Sequence, residues 1–430
     1  MFACTARVQK IPEKEVPSTV TAKVVRRNFT INVKITKLAR LRSFPFPAGK
    51  RTMTILITFA IALVLSLMAT WFVRRFASRI GLVDPPDGVR KLQRVPIPVG
   101  GGLAVFFAML ASIFIALSLD PQVAYAFIER LPQWVALGIA GAIIIIVGLI
   151  DDCVALRPMH KLCGQFVAIT VLVVFGKMQI VDVTVFSTHL HLGWAAIPIT
   201  YFWFLAAVNS LNLLDGMDGL LGTVGGIICA ALGCIGILTG QPAAVIVAVA
   251  LVGALVGFLR FNLPPATIYL GDSGSMLIGL MIGGIAIQAS MKSHAAALLA
   301  PTALLVLPFL DTIAAIVRRK LSGRGVSQAD REHLHHVLLR RSGWTIHFAL
   351  FVVAGLGGIA ALGATLSVYF RHDSIAIVTS LGVVVVLLAF GWFGGTELQL
   401  IRKRFAKLIW RPRVENPVTA TEELPAQATP

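Results

Sequence analysis

Charge is scarce in this sequence. Asp, Glu, Lys and Arg make up 13% of its 430 residues, against ~25% in a soluble globular chain. A water-facing surface cannot be assembled from so little, which excludes a soluble fold. Acid is scarcer than base, with 20 Asp and Glu against 38 Lys and Arg. That excess does not point to nucleic acid, because the basic residues fall in short clusters between long apolar runs, as the positive-inside rule expects of a membrane protein. Paired cysteines are missing too: Cys4, Cys153, Cys163, Cys229 and Cys234 show no CxxC pair and no regular spacing. A disulfide framework or a zinc site is therefore not expected.

Apolar residues, by contrast, make up 57% of the chain, and mean hydropathy is +0.84. A bilayer core needs ~20 mostly apolar residues per helix. Eleven runs qualify, at about 54–73, 100–118, 133–150, 163–176, 195–211, 217–238, 242–260, 273–290, 295–317, 346–369 and 375–395. The reading is an all-α integral membrane protein, a polytopic bundle of about eleven transmembrane helices. If the first span starts outside, the inner side after Met53 receives 22 Lys and Arg and the outer loops receive 4: Arg130, Lys177, Lys292 and Arg371. That ratio sets the orientation, and an odd number of spans preserves it.

Residues 1–52 fit poorly. They hold twelve Lys and Arg against two Glu and contain no span. Met53 directly precedes the first apolar run, so the expected polytopic membrane domain is 53–410. Residues 1–52 then read as a disordered extension or a mis-assigned start, although NFTINVKITKLARL alternates as a strand would. Residues 411–430 are expected to form a disordered cytoplasmic tail.

Three spans end in carboxylates on that inner side, where ionised groups are costly and tend to be functional. The third ends in GLIDDCVALRPMHKL, with Asp151 and Asp152 adjacent. The fifth runs into NSLNLLDGMDGLLG, where Asn209, Asn212, Asp215 and Asp218 recur every third residue. That spacing predicts one face of a helical turn. The eighth is preceded by RFNLPPATIYLGDSGSMLIG, with Asp272 at the helix start. Backbone amides there make an anion-friendly site. Carboxylates beside phosphate-binding backbone suit a hard divalent cation, and Mg2+ is held by one or two protein oxygens plus substrate phosphates.

DDCVALRPMHK, NSLNLLDGMDGLLG, FNLPPATIYLGDSGS and DREHLHHVLLRRSGW, in that order between apolar spans, resemble the polyprenyl-phosphate N-acetylhexosamine-1-phosphate transferases. LVDPPDGVRKLQRVPIPVGGG resembles their first cytoplasmic loop, with one departure: Gln93 stands where His is common. The resemblance covers about 54–410. It implies a multi-pass enzyme of the cytoplasmic membrane that moves a sugar 1-phosphate from a UDP-sugar to a polyprenyl phosphate, releases UMP and requires Mg2+, with Mn2+ as a substitute. Its partners would be UDP-N-acetylglucosamine, undecaprenyl phosphate, membrane lipids and, as an option, a second copy of the chain.

The resemblance assigns roles at the cytoplasmic face. Asp272 and Asn212 would hold the metal. Asp151 would take the proton of the lipid phosphate with Asp152 in support, while Asp215 and Asp218 shape the nucleotide side. Base and ligand remain interchangeable among these aspartates, since neighbouring carboxylates titrate together. Lys91, Arg157 and Lys161 would face phosphate, and Asn209 would face substrate. HLHH is spaced i, i+2, i+3 and so lacks the i, i+4 pair of helical zinc sites; Arg331, His333, His335 and His336 would instead close over the sugar nucleotide. Asp311 sits about two turns inside the membrane edge and needs a basic partner. Leu334 breaks the histidine run of the muramoyl-pentapeptide branch, so N-acetylglucosamine is the expected sugar. A muramoyl-pentapeptide donor is the alternative. A transporter is the remote one, as transporters place polar residues near mid-membrane.

Overall fold

The computed structural model describes residues 21–26, 29–34, 48–86, 95–186, 188–290, 299–323, 325, 332–341 and 343–409. Helices dominate: α1 (Ala48–Ile80), α2 (Gly101–Leu119), α3 (Pro121–Ile128), α4 (Leu131–Val154), α5 (Pro158–Thr170), α6 (Ala196–Leu214), α7 (Leu220–Leu238) and α8 (Pro242–Asn262). They continue with α9 (Gly271–Ser290), α10 (Leu299–Leu304), α11 (Val306–Leu321), α12 (Leu334–Arg341), α13 (Ile346–Phe370), α14 (Asp373–Ala389) and α15 (Gly395–Ile409). A π-helical turn, Val171–Phe175, extends α5. Three antiparallel pairs decorate the loops: β1 (Thr21–Arg26) with β2 (Phe29–Lys34), β3 (Val83–Asp84) with β4 (Ile97–Pro98), and β5 (Asp182–Val185) with β6 (Thr188–His191). The strand alternation noted in the N-terminal arm thus appears as β1 and β2, and α1 starts upstream of Met53. Residues 411–430 lie outside the described residues.

Among the described residues nine helices are long and apolar enough to cross a membrane: α1, α2, α4, α5 with its π turn, α6 with the turn before it, α7, α8, α9 and α13. The two other expected spans differ. The ninth is divided at Leu305 into α10 and α11. Pro308 explains the break, because a proline inside a helix removes its own N–H bond and crowds the carbonyl four residues back, here that of Leu304. The last is α14, of 17 residues, which rises about 25 Å and ends where Gly391 turns with φ +67°. Outer helix faces expose Phe107, Phe114, Phe202 and Phe351, apolar surface suited to lipid.

α9 is the hub, buried from Ser273 to Ser290 and packed by α4, α6, α2, α7 and α8. Lipid gives little hydrophobic drive between helices, so close contact relies on small residues. A Cβ on Gly148 of α4 would overlap the Ser273 backbone, and one on Gly102 of α2 would overlap Gly274. At the far end of α9, Gln288 accepts from Arg130 Nη1 at 2.9 Å and donates to Gln133 at 2.8 Å.

Gly148→Ala should therefore cost about 1–3 kcal/mol, the usual range for overpacking, because the clash is with backbone. Gly138→Ala on the same helix meets nothing within 4 Å and should be neutral or slightly stabilising. Thermal unfolding of the two detergent-purified variants tests this, and equal melting temperatures would refute the close approach of α4 to α9.

Candidate active site

α4 stops at a left-handed Ala155, φ 47°, which turns the chain so that α5 starts at Pro158 and carries Lys161 back over the end of α4. Asp151 accepts from the Leu156 amide at 2.7 Å and from Lys161 Nζ at 3.0 Å. The same ammonium bonds the Asp272 carboxylate at the start of α9. The other oxygen of Asp272 accepts from Asn212 Nδ2 at 2.6 Å, and Nδ2 also reaches Ser275 Oγ at 2.7 Å. One continuous chain of contacts thus joins the ends of α4, α5, α6 and α9.

Asp152 faces another way. It accepts from the amides of Asp272 at 2.7 Å and Ser273 at 3.4 Å, and from Ser273 Oγ at 3.0 Å. A side chain of α4 therefore caps α9, placing negative charge on the positive end of its dipole. Gly271 fits this seat because its φ is +73° and a Cβ would run into the Asp152 carboxylate. The anion-friendly amides expected to meet phosphate are filled by the protein's own carboxylate. Asp151 and Asp152, adjacent in sequence, thus hold different partners.

The NxxNxxDGxD run divides as well. Asn209 and Asn212 lie in α6, but α6 ends at Leu214, so Asp215 and Asp218 belong to the following turn rather than to one helical face. Asp218 accepts from the Ala266 amide at 2.9 Å. Loss of water and the charges of Asp272, Asp152 and Asp218 push the Asp215 carboxyl up to about 8. The same field acts on Tyr269, whose phenol is raised to about 12 by burial, then by Asp218, Asp84 and Asp215. Asn209 donates to Gln165 Oε1 at 2.8 Å. Gln165, fully buried on α5, was missed by sequence reasoning; its signal is the i+4 spacing from Lys161, which puts both on one helix face. Asn262, also missed, accepts from the Gly219 amide at 3.1 Å and donates to Ile268 O at 2.9 Å, holding the two acidic loops together.

Asp311, 1% exposed, has the basic partner its depth demands. It accepts from His333 Nδ1 at 2.9 Å and from the Leu334 amide at 2.9 Å, so it also caps α12. α12 lies against the acidic turn, with the His335 ring where a Cβ on Gly216 would be. Burial, then the neighbouring His336, lowers the His335 imidazole to about 3, so it is neutral. The His336 ring centre is 4.2 Å from that of His335. Arg157 is exposed at the start of α5, apart from the Lys161 contacts. Lys91, Gln93 and Arg331 lie outside the described residues.

Among the described residues no three His, Cys, Asp or Glu side chains converge as a metal cage. The oxygens present are hard donors, and Asn212 spends its amide nitrogen on Asp272 and Ser275.

The sequence pattern of glycosyl transferase family 4 matches residues 134–290, which run from α4 through α9. The chain is 36% identical to the decaprenyl-phosphate N-acetylglucosaminephosphotransferase of Mycobacterium tuberculosis, over 76% of this chain and 85% of that protein. It is 28% identical to the probable undecaprenyl-phosphate N-acetylglucosaminyl 1-phosphate transferase of Bacillus subtilis, over 83% and 95% of the two. It is 29% identical to the undecaprenyl-phosphate alpha-N-acetylglucosaminyl 1-phosphate transferase of Escherichia coli, over 75% and 86%. Apolar spans, acidic span ends and relatives agree: this is a membrane-embedded phosphotransferase, and the chain belongs to glycosyl transferase family 4, the polyprenyl-phosphate N-acetylhexosamine-1-phosphate transferases.

Proposed function

We propose that the chain transfers N-acetylglucosamine 1-phosphate from UDP-N-acetylglucosamine to undecaprenyl phosphate at the cytoplasmic face of the membrane. The products are the undecaprenyl-diphosphate-linked sugar and UMP, the first membrane step of a surface polysaccharide or wall polymer. The observation that carries this reading is the linked set Asp151, Lys161, Asp272 and Asn212 at the ends of four apolar helices. A group at that depth meets a lipid phosphate and a water-soluble nucleotide together.

An oxygen of the lipid phosphate attacks the β-phosphorus of the donor. The bond from that phosphorus to the oxygen bridging the two phosphates breaks, and UMP leaves with that oxygen. Asp151 takes the remaining proton of the lipid phosphate. Lys161, already between two carboxylates, is placed as a point charge for phosphate. Asp272 and Asn212 would hold Mg2+, which supplies charge neutralisation for two anions brought together. Asp152 acts by fixing the start of α9, and with it Asp272. Asp215 and Asp218 border the nucleotide side, and the imidazoles of α12 close over it.

The named relatives use N-acetylglucosamine, and the broken histidine run supports the same sugar here. Leu334, the residue that breaks it, is 1% exposed in the apolar core. Membranes given labelled UDP-N-acetylglucosamine should form a lipid-linked product, and added UMP should reverse it. Conversion of UDP-N-acetylmuramoyl-pentapeptide alone would refute the sugar and keep the family.

Asp272→Asn and Asp151→Asn should each lower turnover ~100-fold or more, as loss of an electrostatic group at a reacting centre does, while membrane insertion stays normal. EDTA should stop the wild type and Mg2+ restore it. Near-normal turnover in either variant, or full activity in excess EDTA, would sink the assignment. Reporter fusions at residue 125 should read outside and those at 420 inside.

A further inference from the structure

We propose that the stretch from Trp392 to Glu397 is a strap that positions the His333–His335 segment over the nucleotide side of the site, with Arg318 and Glu397 as its clasp. The proposal rests on the reading of that site given above. After α14 the chain makes a compact turn: Trp392 and Phe393 both donate to Leu387 O, at 2.9 and 3.2 Å, and Gly391 and Gly394 take positive φ. The stretch then touches both flanks of α12. On the near flank, Thr396 Oγ1 donates to Glu332 Oε2 at 3.3 Å, next to His333. The other oxygen of Glu332 is held by Arg340 of α12 itself. On the far flank, the Trp392 ring meets Trp344 edge-on at 5.2 Å, and Trp344 stands 4.6 Å from Phe348 at the start of α13.

The clasp fixes the strap to the membrane body. Glu397 Oε1 accepts from Arg318 Nη1 at 2.6 Å, and Arg318 is 5% exposed. α11, which supplies Arg318, also supplies Asp311, the carboxylate beneath His333. Buried ion pairs add little net stability over apolar packing and are best attested as devices that set registry. This one sets the position of α15 relative to α11, and so where Thr396 and Trp392 hold α12. The contacts of Thr396, Trp392 and Glu397 described above go to Glu332, Trp344 and Arg318, so these act through α12 as positioning residues.

The test compares Glu397→Ala, Glu397→Gln and Trp392→Ala with the full-length wild type. Glu397→Ala should raise the KM for UDP-N-acetylglucosamine roughly tenfold, within the range usual for coupled sites, and leave the KM for undecaprenyl phosphate unchanged. Glu397→Gln keeps an acceptor for Arg318 and should recover most of the loss. Hydrogen exchange should quicken across Leu334–Arg341 and stay slow across α9. If Glu397→Ala does not fold, Trp392→Ala cuts the other contact and should give the same signature. An unchanged donor KM, an equal rise for both substrates, or faster exchange throughout α9 would overturn the strap. A wild type that consumes no UDP-N-acetylglucosamine would count against the reaction instead, and hydrogen exchange would still decide the strap.

Discussion

The carboxylate of Asp152 seated on the first amides of α9 is the contact on which the site depends. The first N–H groups of a helix have no partner within it, and leaving them unpaired where water is partly excluded is costly. α4 resolves this with a side chain at its own end, and Gly148 lets the two backbones come close enough for the reach. Asp272 itself carries the first of these amides, so fixing α9 in this way fixes its carboxylate too. Lys161 and Asn212 then have a carboxylate to meet.

That arrangement gathers more negative than positive charge. Loss of water first, and this charge second, hold the Asp215 proton to about 8, and the same two causes push Tyr269 in the same direction. A pocket with this field repels phosphate unless cations enter with it. Carboxylates and an incoming anion therefore repel each other until one of them is neutralised.

Much of this was legible in the sequence, for identifiable reasons. Apolar runs of spanning length survive as helices because backbone polar groups in lipid must be satisfied within the segment. The division at Leu305 was not foreseen because hydropathy is blind to what Pro308 does to a carbonyl four residues earlier. Three clusters of carboxylates far apart in sequence are gathered by the structure at the ends of α4, α6 and α9. Nothing in the dipeptide Asp151–Asp152 tells which member faces Lys161 and which caps a helix more than a hundred residues later, since both answers depend on how α4 meets α9. Asp311 was recognised as needing a base, and the choice of His333 follows from the chain returning after α11. Gln165 escaped because its one signal, the i+4 spacing from Lys161, counts only once Lys161 is known to belong to the site.

Leu334 sits between two histidines yet belongs to the core, 1% exposed and among the apolar residues that seat α12. Its place in the motif is thus written partly by packing. A histidine there would bring an imidazole into apolar surroundings, at the usual cost of a buried polar group without a partner. Leu334→His is consequently a change to the core of this scaffold as well as to its histidine motif. A change at this position must be met by the apolar residues that seat α12, so the motif and the core beneath it form one packing unit.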